Sequence, residues 1–321
     1  MVKNFIRLIA IFLSLLSIAE ANYTIKKVYI NQLVQHSALD MTTKGIIDGL
    51  AELGYTNGEN LDLKVENAQG DAVLANQIAA RLVSLKPDVV VGNPTITAQS
   101  FVKYAKEGKI KLVFTSVTDP LGAKIVNKLT QSGGNTTGVS NFVDLEPQIE
   151  LFKEIKPTIK KIGFLYNPGE LNSITLVNKL KEICPRYGLE LIEITASKTS
   201  EVYQSAIKLG SLVDAIFISN DNMALSALKT IVKAADAQKI PVFVSDTDIV
   251  RDGALAALGP NQYEIGKQTA RLIARILNGE DINKMNVEFP KGTELFLNQS
   301  AATKLGIVFS RELLAKADKI I

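Results

Sequence analysis

An α/β protein of two Rossmann-like lobes, each built on a parallel sheet, is the fold this 321-residue chain predicts, on three observations. Six apolar strand-like segments each end in a short polar loop, and they fall into two sets of three that read alike. Helical stretches separate the segments, so strand and helix alternate through both halves. The strands are continuous apolar runs such as Val89-Val90-Val91, the pattern of parallel strands covered on both faces.

The first set begins with Lys26-Lys27-Val28-Tyr29-Ile30, which leads into the loop 31–36. Its counterpart in the second half, Lys160 to Tyr166, leads into Asn167-Pro168-Gly169-Glu170. Pro87 to Gly92 runs into Asn93-Pro94-Thr95, and Val213 to Ser219 into Asn220-Asp221-Asn222. Ile110 to Phe114 gives Thr115 to Asp119, and Ile240 to Val244 gives Ser245 to Asp248. Between them, Asp71 can cap a helix whose Leu74, Ile78, Leu82 and Leu85 share one face and which stops before Pro87. Ser173 can cap a second, with Leu176, Leu180 and Ile183 on its face, and a third begins near Ser200. Right-handed crossovers place every loop that follows a strand along one edge of its sheet, where ligands of open parallel sheets bind.

The glycine-rich stretch 133–138 is a natural first crossing between lobes, and a second follows 253–260. The helix near Tyr263 to Leu277 is expected to pack back on the first lobe, and the tail from Val287 to return to the second. The expected division is a leader over 1–21, a first lobe of 22–138 with 259–284, and a second of 139–258 with 285–321.

Lys3 and Arg7, the apolar run Leu8 to Ile18 and Ala19-Glu20-Ala21 read as a cleaved secretory signal, because the run falls short of the ~20 residues that span a bilayer. Later apolar runs are broken by charge, so a periplasmic mature protein is expected. No cysteine follows Ala21 to accept a lipid, and the single cysteine, Cys184, reads as apolar filler on a helix. Losing the leader lowers the formal net charge from +3 to +2, with lysines scattered along the chain, which speaks against nucleic acid. The absence of tryptophan disfavours sugar binding. One histidine and one cysteine make no metal-ligand cluster, and the common nucleophile and phosphate-loop motifs are missing, so neither an enzyme nor a cofactor is expected.

The loop residues instead suit a small zwitterion, whose two charges both need partners when buried. Asp119, Glu170, Asp221, Asp246 and Asp248 offer acceptors for an ammonium. Thr95, Thr97, Ser116, Thr118, Asn172, Ser173 and the amides at helix starts can hold a carboxylate. No arginine or lysine stands at the six loop tips, which disfavours a phosphate or dicarboxylate. Gln35 and the single histidine, His36, close the first loop; Phe142 and Tyr166 can pack on an apolar ligand side chain. Other roles stay open: Thr95, Ser173 and Asp221 also fit helix caps, Asp119 before Pro120 a turn, His36 a structural contact, and the two aromatics core packing. Asp88 and Asp214 lie at strand starts, the wrong end for a ligand.

Taken in order, Gln35-His36-Ser37-Ala38-Leu39-Asp40, Lys44 to Leu50, Asn67-Ala68-Gln69-Gly70-Asp71, Val117-Thr118-Asp119-Pro120, Gly134 to Gly138, Tyr166 to Ser173 and Asp221-Asn222 resemble the ABC-transporter substrate-binding protein family, in its branch for tryptophan and other aromatic amino acids. The resemblance covers nearly all of the mature chain. It implies a type I periplasmic-binding-protein fold with three interlobe crossings, and a monomeric receptor that delivers a small-molecule ligand to a membrane permease and its ATPase. It also implies a pocket drawing on Thr95, Thr118-Asp119, Asn172-Ser173 and Asp221-Asn222. A periplasmic ligand sensor for a membrane signalling receptor would use the same fold and pocket.

Overall fold

The computed structural model describes residues 25–142 and 144–321, so the stretch read as a leader lies outside the described residues. The first sheet holds β1 (Lys26–Gln32), β2 (Leu61–Asn67), β3 (Val89–Asn93), β4 (Leu112–Val117) and β5 (Thr136–Ser140), all parallel, in the order β2-β1-β3-β4-β5. Side chains alternate across it: Val28, Ile30, Val89, Val91 and Val113 enter one apolar layer, Tyr29, Val90, Leu112 and Phe114 the other. That is why β3 and β4 read as unbroken apolar runs, since both of their faces are covered.

The second sheet holds β6 (Lys161–Tyr166), β7 (Glu190–Thr195), β8 (Ala215–Ile218), β9 (Val242–Val244), β10 (Ala256–Gly259), β11 (Glu294–Leu297) and β12 (Lys319–Ile320). Its order is β12-β11-β10-β9-β8-β6-β7, and only the β10–β11 pair is antiparallel. The segment β7-β6-β8-β9-β10 therefore repeats the order of the first sheet, strand for strand. Phe164, Phe217 and Phe243 fill one face with Phe152, whose ring centroid lies 4.2 Å from that of Phe243.

The helices flank both sheets: α1 (Ser37–Glu52), α2 (Ala72–Ser84) and α3 (Thr95–Lys106), then α4 (Glu146–Ile155), α5 (Leu171–Ile183), α6 (Thr199–Gly210), α7 (Asn222–Ser226) and α8 (Leu228–Asp236). Three more follow, α9 (Gln262–Leu277), α10 (Gln299–Leu305) and α11 (Arg311–Lys316). Asp71 caps α2 through the amides of Val73 and Leu74, as its sequence position predicts. Ser173 does not cap α5, which begins two residues earlier; its hydroxyl donates to Asp221 Oδ2 at 2.6 Å. Cys184 is fully buried in the second lobe's core, where burial pushes its thiol up to about 11.

The chain passes from the first sheet to the second after β5, returns after β10, and passes again after α9. The last passage runs beside β5, with Ser140 N donating to the Glu288 carbonyl, and Met285 and Val287 still pack in the first sheet's layers. α9 lies on α1 through two glycines: a Cβ on Gly266 would stand 2.1 Å from the Thr42 carbonyl oxygen, and one on Gly45 2.1 Å from that of Tyr263. This close crossing sets the first residue of α9, Gln262, against Thr42.

Candidate functional site

In both sheets the strand order reverses between the first and third strands, so the loops after β1 and β3 face those after β6 and β8. The loops after β4, β5, β9 and β10 complete the ring. His36, Pro94, Ser116, Thr118 and Asn141 come from the first sheet's strand ends; Asn172, Asn220, Asn222, Asp246 and Gln262 come from the second's. Together with Ala38, Leu39 and Leu225 they line one central cavity of about 10 Å³. That is room for about one water, so any larger ligand enters only when the lobes part.

Three polar networks close the cleft. His36 Nδ1 accepts from the Leu39 amide, which leaves the proton on Nε2 to donate to Asn222 Oδ1 in the opposite lobe, 3.4 Å away. Burial holds His36 down at about 4, only partly offset by the Asn222 bond, so the closed cleft contains a neutral imidazole. Asn222 in turn donates through Nδ2 to Glu170, whose buried carboxylate also takes the amides of Asn222 and Met223 and the Asn172 side chain. Glu170 thus serves the start of α7 rather than its own helix.

The second network joins Thr118 to Asn141 and, across the cleft, to Asn220. The third centres on Gln262: its Oε1 accepts from the hydroxyls of Thr42 and Ser116, and its Nε2 donates to Asp246 Oδ1. Ser116 adopts φ +53° where β4 slips register against β5, which turns its hydroxyl to this network. Burial pushes Asp246 up to about 7; the Gln262 bond opposes the rise and Asp248 adds to it.

Of the residues singled out by sequence, His36, Ser116, Thr118, Asn172, Asn222 and Asp246 meet in this cavity. Glu170 and Asn222 also line an adjoining cavity of about 260 Å³ with Leu33, Ile96 and Met223. The others stand apart. Asp221 takes the Ser173 hydroxyl and the amides of Asn167 and Ala224, and burial together with neighbouring Glu170 holds its carboxyl well above the usual range. Asp119 makes the expected turn, accepting from Gly122 N, and its other oxygen lies 3.4 Å from the Thr175 hydroxyl of the opposite lobe. Asp248 accepts from Gln262 N. Thr97 bonds its hydroxyl to the Pro94 carbonyl, while Thr95 Oγ1, at the start of α3, is buried without a partner among the described residues. Gln35 is exposed, Tyr166 lies in the core with its hydroxyl on Glu193, and Phe142 lies beside the cavity, its ring 5.0 Å from Lys179 Nζ.

Sequence reasoning passed over Asn141, Asn220, Gln262, Leu39 and Leu225. Asn220 carried a signal, standing in a strand-end loop between a strand and the cap Asp221. Gln262 carried none, being the first residue of a helix one crossing away. Asp88 and Asp214 sit as expected at the far strand ends, bonded to the amides of Lys27 and of Lys160 and Lys161.

Two repeated lobes joined by three passages of chain, with strand-end loops interlocked over a polar cavity, define a ligand-binding protein of the type I periplasmic class. Residues 27–321 match the model of the ABC transporter substrate binding protein family, and the chain belongs to that family of substrate-binding proteins. It is 33% identical to a tyrosine-binding protein of Clostridioides difficile (strain R20291) over 280 residues, covering 87% of this chain and 81% of that one. It is similar to a Streptococcus pneumonia ABC domain solved in complex with L-Trp, at 32% identity and a TM-score of 0.88 over 92% of this chain and 99% of that one. A ligand-free, open substrate binding protein from Clostridium difficile, at 33% identity and equal coverage of this chain (98% of that one), superimposes with a TM-score of only 0.69. In this structure the bonds His36–Asn222 and Asn220–Thr118 join the loops of the two lobes, which is a closed arrangement.

Proposed function

We propose that this protein is the periplasmic receptor of an ABC importer and captures a small zwitterion, an aromatic amino acid, between two closing lobes. The reading takes residues 1–21 as its secretory leader, 22–138 with 259–284 as one lobe and 139–258 with 285–321 as the other, and the mature protein as a monomer that presents its closed form to a permease and its ATPase. The observation that carries it is the central cavity, which draws polar groups from the strand ends of both sheets and is complete only when the lobes meet. Leu39 and Leu225 give it apolar wall, and among the described residues neither lysine nor arginine lines it, which disfavours a dicarboxylate or phosphate. The tyrosine and L-Trp named for two relatives support the aromatic class.

The mechanism follows from the networks. With the lobes apart, His36, Thr118, Asn220 and Asn222 face water; closure exchanges those water contacts for bonds across the cleft, nearly balanced in free energy. A ligand that touches both lobes binds the closed state better than the open one, and that differential affinity shifts the population. Calorimetry of the mature protein against the twenty amino acids tests the reading, with tyrosine, tryptophan or phenylalanine expected to bind. Binding to none of the twenty would discard the zwitterion.

A further inference from the structure

We infer that the ammonium of the ligand is held by the second lobe, between Asn172 Oδ1 and Asp246 Oδ2, an assignment that rests on the amino-acid reading above. Asn172 is 3% exposed, and its amide orientation is set because Nδ2 meets two acceptors, Glu170 Oε2 and the Asn220 carbonyl. Oδ1 is thereby left buried with no donor among the described residues, on a residue that lines the central cavity. Buried carbonyl oxygens nearly always have a partner, so the orphan marks where an outside donor belongs.

Asp246 lines the same cavity, 2% exposed, and among the described residues its one donor is Gln262, to Oδ1. Gln262 is a positioning residue here: two hydroxyls on its Oε1 fix the amide, so that Nε2 pins one carboxylate oxygen and leaves the other for the ligand. The remaining strand-end carboxylates are committed elsewhere: Asp248 accepts from Gln262 N and does not line the cavity. Asp221 has three donors, Glu170 has four, Asp119 closes a turn, and none of the three lines this cavity. A buried carboxylate with one open oxygen and, among the described residues, no cationic neighbour in its cavity is the partner a primary ammonium requires.

The ligand is therefore a primary amine held by that group, and removing the amine should cost more than any change in the side chain. The test is calorimetry of the mature protein with L-tyrosine and L-tryptophan and with their deamino counterparts, 3-(4-hydroxyphenyl)propionate and indole-3-propionate. The wild type should favour each amino acid over its deamino acid by at least about 100-fold. Asp246→Asn, which keeps the shape and the Gln262 bond, should cut that preference below about tenfold, and Asn172→Ala should lower it in the same direction. Taking the ratio of two ligands on one variant cancels any general loosening of the cleft. A wild-type preference that survives in both variants would overturn the assignment and leave the amino-acid reading intact; a wild type that binds neither amino acid would remove the reading and this assignment with it.

Discussion

His36 of the first lobe donates its Nε2 proton to Asn222 Oδ1 of the second, 3.4 Å away, at a point where both side chains are buried by closure. The bond that His36 Nδ1 accepts from the Leu39 amide needs a neutral ring, whereas the Nε2 bond survives protonation. Burial lowers the pKa of His36 from 6.5 to about 4, so closing the cleft on a charged ring is disfavoured. The sign follows for the His36 contribution: it leaves closure unimpeded above pH 6.5 and opposes it increasingly as pH falls from 6.5 towards 4. His36→Gln retains a donor without the titration. Ligand affinity measured from pH 7.5 to 5 should therefore fall more steeply in the wild type than in this variant, and parallel curves would detach His36 from closure.

Asp221 joins three parts of the second lobe, taking the amides of Asn167 and Ala224 and the Ser173 hydroxyl. Asp221→Ala leaves those donors unpaired and uncaps α7, at a cost of about 1–3 kcal/mol. Urea denaturation should show this as a lower midpoint at unchanged slope. A midpoint equal to that of the wild type would mean that water replaces the carboxylate without loss.

Gly266→Ala places a methyl 2.1 Å from the Thr42 carbonyl and forces α9 away from α1. Overpacking of this kind costs about 1–3 kcal/mol. Because Gln262 sits at the head of the same helix, ligand affinity should fall along with the melting temperature. Loss of stability with full affinity would show that the Gln262 bonds do not depend on the helix crossing.

The Cys184 thiol, fully buried and pushed up to about 11, should be inert to a thiol-specific reagent such as dithionitrobenzoate at pH 8 and should react once urea unfolds the protein. Rapid reaction of the native protein would mean that the second lobe's core opens locally.

Strand positions and helix alternation were legible because Val89 to Val91 and Ile216 to Ile218 are apolar on both faces and stop at polar residues. The loops that meet were legible for the same reason, since each follows such a strand. What each loop residue does was less so. Ser173 and Glu170 both stand near the start of α5, and local capping rules favour the serine, yet the serine reaches Asp221 and the glutamate reaches the start of α7, some fifty residues on. Gln262 enters the site only because Gly45 and Gly266 let two helices touch, a relation between positions more than two hundred residues apart.

The repeated strand order pairs the loops: that of His36 with that of Asn172, that of Pro94 with that of Asn220, that of Thr118 with that of Asp246, and that of Asn141 with that of Gln262. To the backbone, then, a ligand and the same ligand turned end over end look nearly alike. Polarity is written only in the side chains that break the pairing, such as Thr118 standing where the second lobe has Asp246.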